Sequence, residues 1–454
     1  MFCYFRDLKN LLHVVMETNF LSSKLKSSVS LLLLLFAGAM MNGQKIVGFA
    51  PYYRSFPVVF DFSKYTHIHF FAIWPDSTGD FIWPGTHDSL SLYQIYSQVE
   101  EKAHRAENKV LITFGGTSGN GSKYFPQLAS DSAARLRFSE KAIDLCRAWN
   151  ADGIDIDWEW SRKLNAGEND LSTGYEALMS QLHILTNHES LLLSTNVSAS
   201  SWFGDNYPVN GVDQADYINV MSYTYNGGWA STANHHSPLS KTVSVGFSYW
   251  TGRGILPSKL NMGVPFYAFE YSGAIKPGDV YSGIKTLTYT GTTDRIASGF
   301  TVVEDLENGP YCFSDSSIVF YDSPTSLAHK VQHVKESGYS GLVIWELGQD
   351  DPSQTLSKAI FEGMNGSTET ALLENLPVNT FNIRYLKYNQ IVISSQTGVA
   401  FDACLYSLEG RKLVEYRNGY QNLVIPIGDL PGGAYLLVIQ NGILDYKKII
   451  IKGL

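Results

Sequence analysis

Asp152-Gly153-Ile154-Asp155-Ile156-Asp157-Trp158-Glu159-Trp160 sets three acids on alternate positions, with a fourth just upstream. In an extended strand Asp155, Asp157 and Glu159 share one face, and Ile154, Ile156 and Trp158 share the other. A solvated acidic face on an edge strand gives the same alternation. Here, however, the opposite face is apolar and the run sits in the middle of a series of similar runs, so both faces are covered. In a closed barrel each strand packs one face on helices and turns the other inward, which sends these carboxylates into the interior. Burial and like charge both disfavour ionisation, so at least one proton is expected to be shared or retained near neutral pH. A carboxyl group kept protonated in that way is a proton donor. Asp152, off the alternation, is expected to be a structural hydrogen-bonding residue at the start of the strand.

Working outward, short apolar runs alternate with longer segments of helical period from Lys45 onward. The runs are Ile46 to Ala50, His67 to Ile73, Val110 to Phe114, Gly153 to Asp157, Leu191 to Asn196, Tyr217 to Ser222, Leu260 to Pro265 and Leu342 to Trp345. Eight such units make an α/β fold of the (β/α)8 TIM barrel type, with a doubly wound open sheet as the alternative. Helices are predicted over Ser89 to Asn108, Asp131 to Trp149, Leu171 to His188 and Pro324 to Ser337. Between the seventh and eighth runs, Tyr267 to Tyr321 is too long for a simple loop and holds β-like stretches, which predicts a small insertion at the barrel rim. Gly363 to Thr370 is rich in Gly, Ser, Thr and Asn, and short alternating strands follow it. The domain reading is therefore a barrel over 44–362, a linker over 363–377 and a small all-β sandwich over 378–454.

Hydrophobic residues are 44% and charged residues 17% of the chain, which excludes wholesale disorder. A formal net charge of -9 without any Lys/Arg-rich run offers no footprint for nucleic acid or an anionic membrane. Lys24 and Lys26, the apolar run Leu31 to Phe36 and the small residues Ala37 to Ala39 follow the order of a cleavable signal peptide over 1–43, with translation starting at Met16. That run is too short to span a membrane, so the mature protein is expected to have no transmembrane segment. Cys3, Cys146, Cys312 and Cys404 have neither zinc-ligand nor disulfide-framework spacing. His235 and His236 are adjacent on a loop without a third ligand nearby, which favours a loop role over a metal pair. No metal and no cofactor is expected. Trp74, Trp202 and Trp229 fit sugar stacking and ordinary packing equally well.

The acidic run resembles the D-x-x-D-x-D-x-E signature of the family 18 glycoside hydrolases at all four acids. Val110 to Gly116 is similar to that family's third strand and Gly-Gly turn, and Asn219-Val-Met-Ser-Tyr223 to its sixth strand. Gly227-Gly-Trp229 with His235 to Leu239, Gly263 to Tyr267, Tyr321-Asp322 and Gly341 to Trp345 resemble later segments in the right order. The resemblance implies a secreted chitinase acting on β-1,4-linked N-acetylglucosamine polymers, chitin or its oligosaccharides, by a retaining, substrate-assisted mechanism. It further implies Glu159 as proton donor, Asp157 as stabiliser of an oxazolinium ion, Asp155 sharing a proton with Asp157, and Tyr223 on the acetamido oxygen. Trp345, Met221, Gly115, Gly116, Thr224, Tyr52 and Phe71 are the implied substrate-binding residues, with Trp345 flooring the subsite at the cut bond. Thr224 departs from the family, which commonly has aspartate there. An endo-β-N-acetylglucosaminidase acting on N-glycans and a non-catalytic chitin-binding lectin are the alternatives.

The C-terminal segment resembles the type A sorting domain of the type IX secretion system through Gly410-Arg411, Asp429 to Leu437 and Lys447 to Lys452. That implies passage to the cell surface or beyond, with the type IX machinery as a partner. A generic carbohydrate-binding β-sandwich is the alternative.

Overall fold

The computed structural model describes residues 44–160, 162, 169–305, 308–366, 381–386, 390–395, 401–407, 411–419, 422–427, 430–431, 433–440 and 445–452. The expected signal peptide, the Met16 start and residues 367–377 of the linker lie outside them. The chain divides into two compact units at Asn365/Gly366.

In the first unit eight parallel strands close on themselves: β1 (Lys45–Pro51), β2 (His67–Pro75), β3 (Lys109–Gly115), β4 (Gly153–Asp157), β5 (Leu192–Ser198), β6 (Tyr217–Met221), β7 (Leu260–Pro265) and β8 (Gly341–Trp345). Each strand pairs with its sequence neighbour, and β1 pairs in parallel with both β2 and β8. That closure replaces the open-sheet alternative with a (β/α)8 barrel. One face of each strand packs on helices. Ile154 and Ile156 of β4 join Ile112, Phe114, Phe138 and Leu178 in the main core, and all six are fully buried. Helices Ser132–Trp149 and Pro324–Ser337 are capped by Asp131 and Ser323, whose side chains accept from the first-turn backbone N–H groups.

Between β7 and β8 the insertion forms a five-stranded antiparallel sheet from Tyr267–Ser272, Gly283–Thr288, Thr301–Val303, Tyr311–Phe313 and Ser317–Phe320. Helix Tyr289–Ala297 within it was not expected from the sequence. The final barrel helix runs Thr355–Asn365, so residues 363–365 are helical and the linker expected from 363 starts later. No helix among the described residues is long and apolar enough to cross a membrane.

The second unit has a three-stranded and a four-stranded antiparallel sheet. Ile391, Ile393 and Ile425 of the first share one buried core with Phe401, Leu405, Leu437 and Ile439 of the second, which is a β-sandwich.

Candidate active site

Asp155 turns from β4 into the barrel interior, where it is fully buried. Ser194 Oγ donates to its Oδ1 at 2.6 Å, while Thr113 Oγ1 and the Asn196 amide donate to Oδ2 at 3.0 and 2.8 Å. His69 Nδ1 lies 3.3 Å from the same Oδ2, and His69 Nε2 lies 2.8 Å from Tyr217 Oη. The amides continue round the barrel, with Asn261 donating to Asn219 at 2.9 Å and Asn219 to Asn196 at 3.0 Å. The row thus ends in a donor aimed at the carboxylate. Burial pushes the Asp155 carboxyl up, but His69 and the hydrogen bonds from Ser194 and Asn196 more than offset it and leave it below the usual value. These contacts favour the charged form of Asp155 directly below Asp157 on the strand.

Asp157 ends β4 and is also buried. Burial, then the charges of Glu159 and Asp155, push its carboxyl well above the usual range, opposed by a hydrogen bond from Asn196. Glu159 lies two residues past the strand end rather than on it. Glu159 is partly exposed at the cleft, and the protein packed around its carboxyl raises it to about 7. The intervening Trp158 is held by stacking on Phe125 (5.0 Å, 10°) and Trp160 (4.7 Å, 24°), and its carbonyl accepts from Tyr207 Oη at 2.8 Å.

Asp157 and Glu159 open into a cleft of about 1060 Å³ that also receives Phe71, Met221, Tyr223, Thr224 and Trp345. The Trp345 ring lies edge-on to Phe71 at 4.7 Å and tilted on Phe49 at 5.4 Å, so its orientation is fixed by packing. Trp202 and Trp229 line the same cleft and are 64% and 70% exposed. Burial pushes the Tyr223 phenol well up, so its hydroxyl stays a donor. The arrangement joins a carboxyl group whose pKa is raised to about 7, a second acid beside it and broad apolar ring faces, which suits cleavage of a neutral polymer of ring-shaped units.

The family model described as Glycosyl hydrolases family 18 matches residues 45–350. The chain belongs to this family. It is 31% identical over 293 residues to a "Probable endochitinase" of Caenorhabditis elegans, covering 57% of this chain and 46% of that one. It is 26% identical over 334 residues to a class V chitinase of Lotus japonicus, covering 66% and 80%. A solved GH18 chitinase of Cycas revoluta in complex with (GlcNAc)3 superimposes with a TM-score of 0.63 at 25% identity, covering 70% of this chain and 99% of that one. The chain spans less than half the length of the nematode relative, and 14% of a "Probable chitinase 10" of Drosophila melanogaster.

Not every expected site residue of this family 18 chain reaches the cleft. Gly115 and Gly116 lie behind it: a Cβ on Gly115 would stand 2.1 Å from the Asp157 carbonyl oxygen, and one on Gly116 would stand 2.6 Å from the Phe71 ring. They let β3 approach the acids, and the residues that follow, Thr117 and Ser118, are the ones lining the cleft. Tyr52 instead packs on the core and against His87, while its neighbour Tyr53 faces the cleft. Asp152 sits at the opposite end of β4 and accepts from Lys109 Nζ, Val110 N–H and His104 Nε2 at 2.7–2.8 Å. His235 Nε2 meets the Tyr321 carbonyl at 2.7 Å and its Nδ1 accepts from Ser237 N–H, while His236 packs against Tyr267 and Phe269. Both serve the insertion wall. Sequence reading passed over Tyr267, which lines the cleft and bonds the Thr224 hydroxyl, although it ends the quoted Gly263 to Tyr267 run. Asn196, Tyr207 and Trp160 also line the cleft without a local signal.

Proposed function

We propose that the protein is a chitinase that hydrolyses β-1,4-linked N-acetylglucosamine polymers with retention of configuration. The observation that carries this reading is Glu159, a carboxyl group raised to about 7 by burial, in one cleft with Asp157, Tyr223 and Trp345. The chitinase names of the relatives support it. Glu159 protonates the leaving glycosidic oxygen while the substrate's acetamido oxygen attacks the anomeric carbon, breaking the C–O bond and forming an oxazolinium ion. Asp157 accepts from the acetamido N–H and stabilises its developing positive charge, and Tyr223 donates to the acetamido oxygen and fixes the line of attack. Glu159, now ionised, takes a proton from the water that opens the ring. Thr224 bonds Tyr267 and supplies a neutral hydroxyl where the family commonly has a carboxylate.

Export by a signal peptide over 1–43 and a type IX sorting role for 378–454 belong to the same proposal, placing the enzyme at the surface or outside the cell. The test of the activity is release of reducing sugar from chitin oligosaccharides by residues 44–454, beside Glu159→Gln. Turnover that falls about 100-fold or more in the variant, with binding kept, is the expected result. Cleavage of glycoproteins but not of chitin would move the substrate to N-glycans, and binding without turnover in both proteins would make the chain a lectin.

A further inference from the structure

The backbone that carries the proton donor leaves the barrel before reaching it. β4 ends at Asp157, so Glu159 N–H has no ladder partner. A single side chain supplies one. Ser122, on the loop that follows β3, accepts from Glu159 N–H at 2.8 Å and donates its own hydroxyl proton to the Asp157 carbonyl at 3.0 Å. One hydroxyl therefore bridges the backbones of both acids across Trp158. The Asp157 carbonyl also accepts from Gly116 N–H at 2.8 Å, which ties the same loop to the strand end at a second point. Trp158 between them is already fixed by Phe125 and Tyr207, so the freedom left to the segment is rotation of the Glu159 backbone into the cleft.

We infer that Ser122 is a positioning residue for the reaction: through its hydroxyl it holds the Glu159 carboxyl at the depth in the cleft where the leaving oxygen must be protonated. It does not line the cleft, so it acts through Glu159 and not through the sugar. Misplacement of a catalytic group by about 1 Å costs up to about 100-fold in rate, and one lost backbone anchor falls within that range.

This inference rests on the hydrolase reading, and its test is run on full-length protein with an active wild type as reference. Absence of turnover in the wild type would overturn the proposed function itself. With the wild type active, the variants are Ser122→Ala, which removes both bonds, Ser122→Cys, which keeps the shape and weakens them, and Ser122→Thr, which restores the hydroxyl. The expected result is a kcat at least about 10-fold lower for Ser122→Ala with KM within about twofold, an intermediate value for Ser122→Cys and near-wild-type kcat for Ser122→Thr. Ser122→Cys carries the comparison if Ser122→Ala does not fold. Unchanged kcat in the folded Ala or Cys variant would overturn the inference, as would a loss in which KM rises in proportion or one that Thr does not restore.

Discussion

Glu159 and Asp155 are chemically similar side chains four residues apart on one segment, and their surroundings push their carboxyls in opposite directions. Burial raises Glu159 to about 7, and a general acid works only while it carries its proton. The chitin-oligosaccharide kcat/KM should therefore hold below that pH and fall tenfold per unit above it, which a pH–rate profile at fixed ionic strength checks. Asp155 has the reverse sign. Its carboxyl sits below the usual value, so the stability it contributes is present above that value and is lost as pH falls through its folded pKa. Asp155→Ala strands the buried donors of Ser194, Thr113 and Asn196 and should lower unfolding free energy by roughly 3–5 kcal/mol at neutral pH, measured by denaturant titration. The deficit should shrink in acid. At this scale Asp155 and Asp157 were legible because alternation on a strand with two covered faces has one outcome. Tyr52 against Tyr53 was not: β1 ends at Pro51, and past a strand end period two no longer says which neighbour faces the cleft.

The strand-to-loop junctions at the top of the barrel are where elements turn packing into geometry. Gly115 has φ of +126°, a backbone region closed to side chains, and its missing Cβ leaves room for the Asp157 carbonyl. Gly115→Ala should cost roughly 1–3 kcal/mol through that strain and, by displacing the end of β4, reduce kcat more than it raises KM. Thermal melting beside steady-state kinetics tests both parts. The strands were legible because apolar runs fall between turn residues, as Val110 to Phe114 does between Asn108 and Gly115, and because the acidic run of β4 keeps an apolar opposite face. Helix Tyr289–Ala297 was not, since it buries only Tyr289 and Thr292 and so carries little apolar stripe. Ser122 was equally hidden: a serine in a Gly/Ser-rich loop has no local mark, and its partners lie 35 and 37 residues along the chain.

In the whole molecule the barrel and the C-terminal sandwich have separate hydrophobic cores. Residues 44–365 expressed alone should therefore keep the kcat of the longer chain on chitin oligosaccharides, and the proposed sorting role predicts that deletion of 378–454 in the native host leaves the enzyme inside the cell envelope. Fractionation followed by activity assay reads the second outcome. The boundary was legible from the shift to Gly, Ser and Thr after Phe361, but its position was not, because the last barrel helix continues to Asn365. What joins these scales is a cleft that gathers Asp157 and Trp345 from strand ends of one barrel and Glu159 from just past one of them. Proton NMR of a chitin oligosaccharide during cleavage reports the anomer of each new reducing end before it equilibrates. A substrate-assisted reaction begun by Glu159 gives the β-anomer first in the wild type and no new anomer signal in Glu159→Gln. The α-anomer first, or undiminished cleavage in Glu159→Gln, would contradict it.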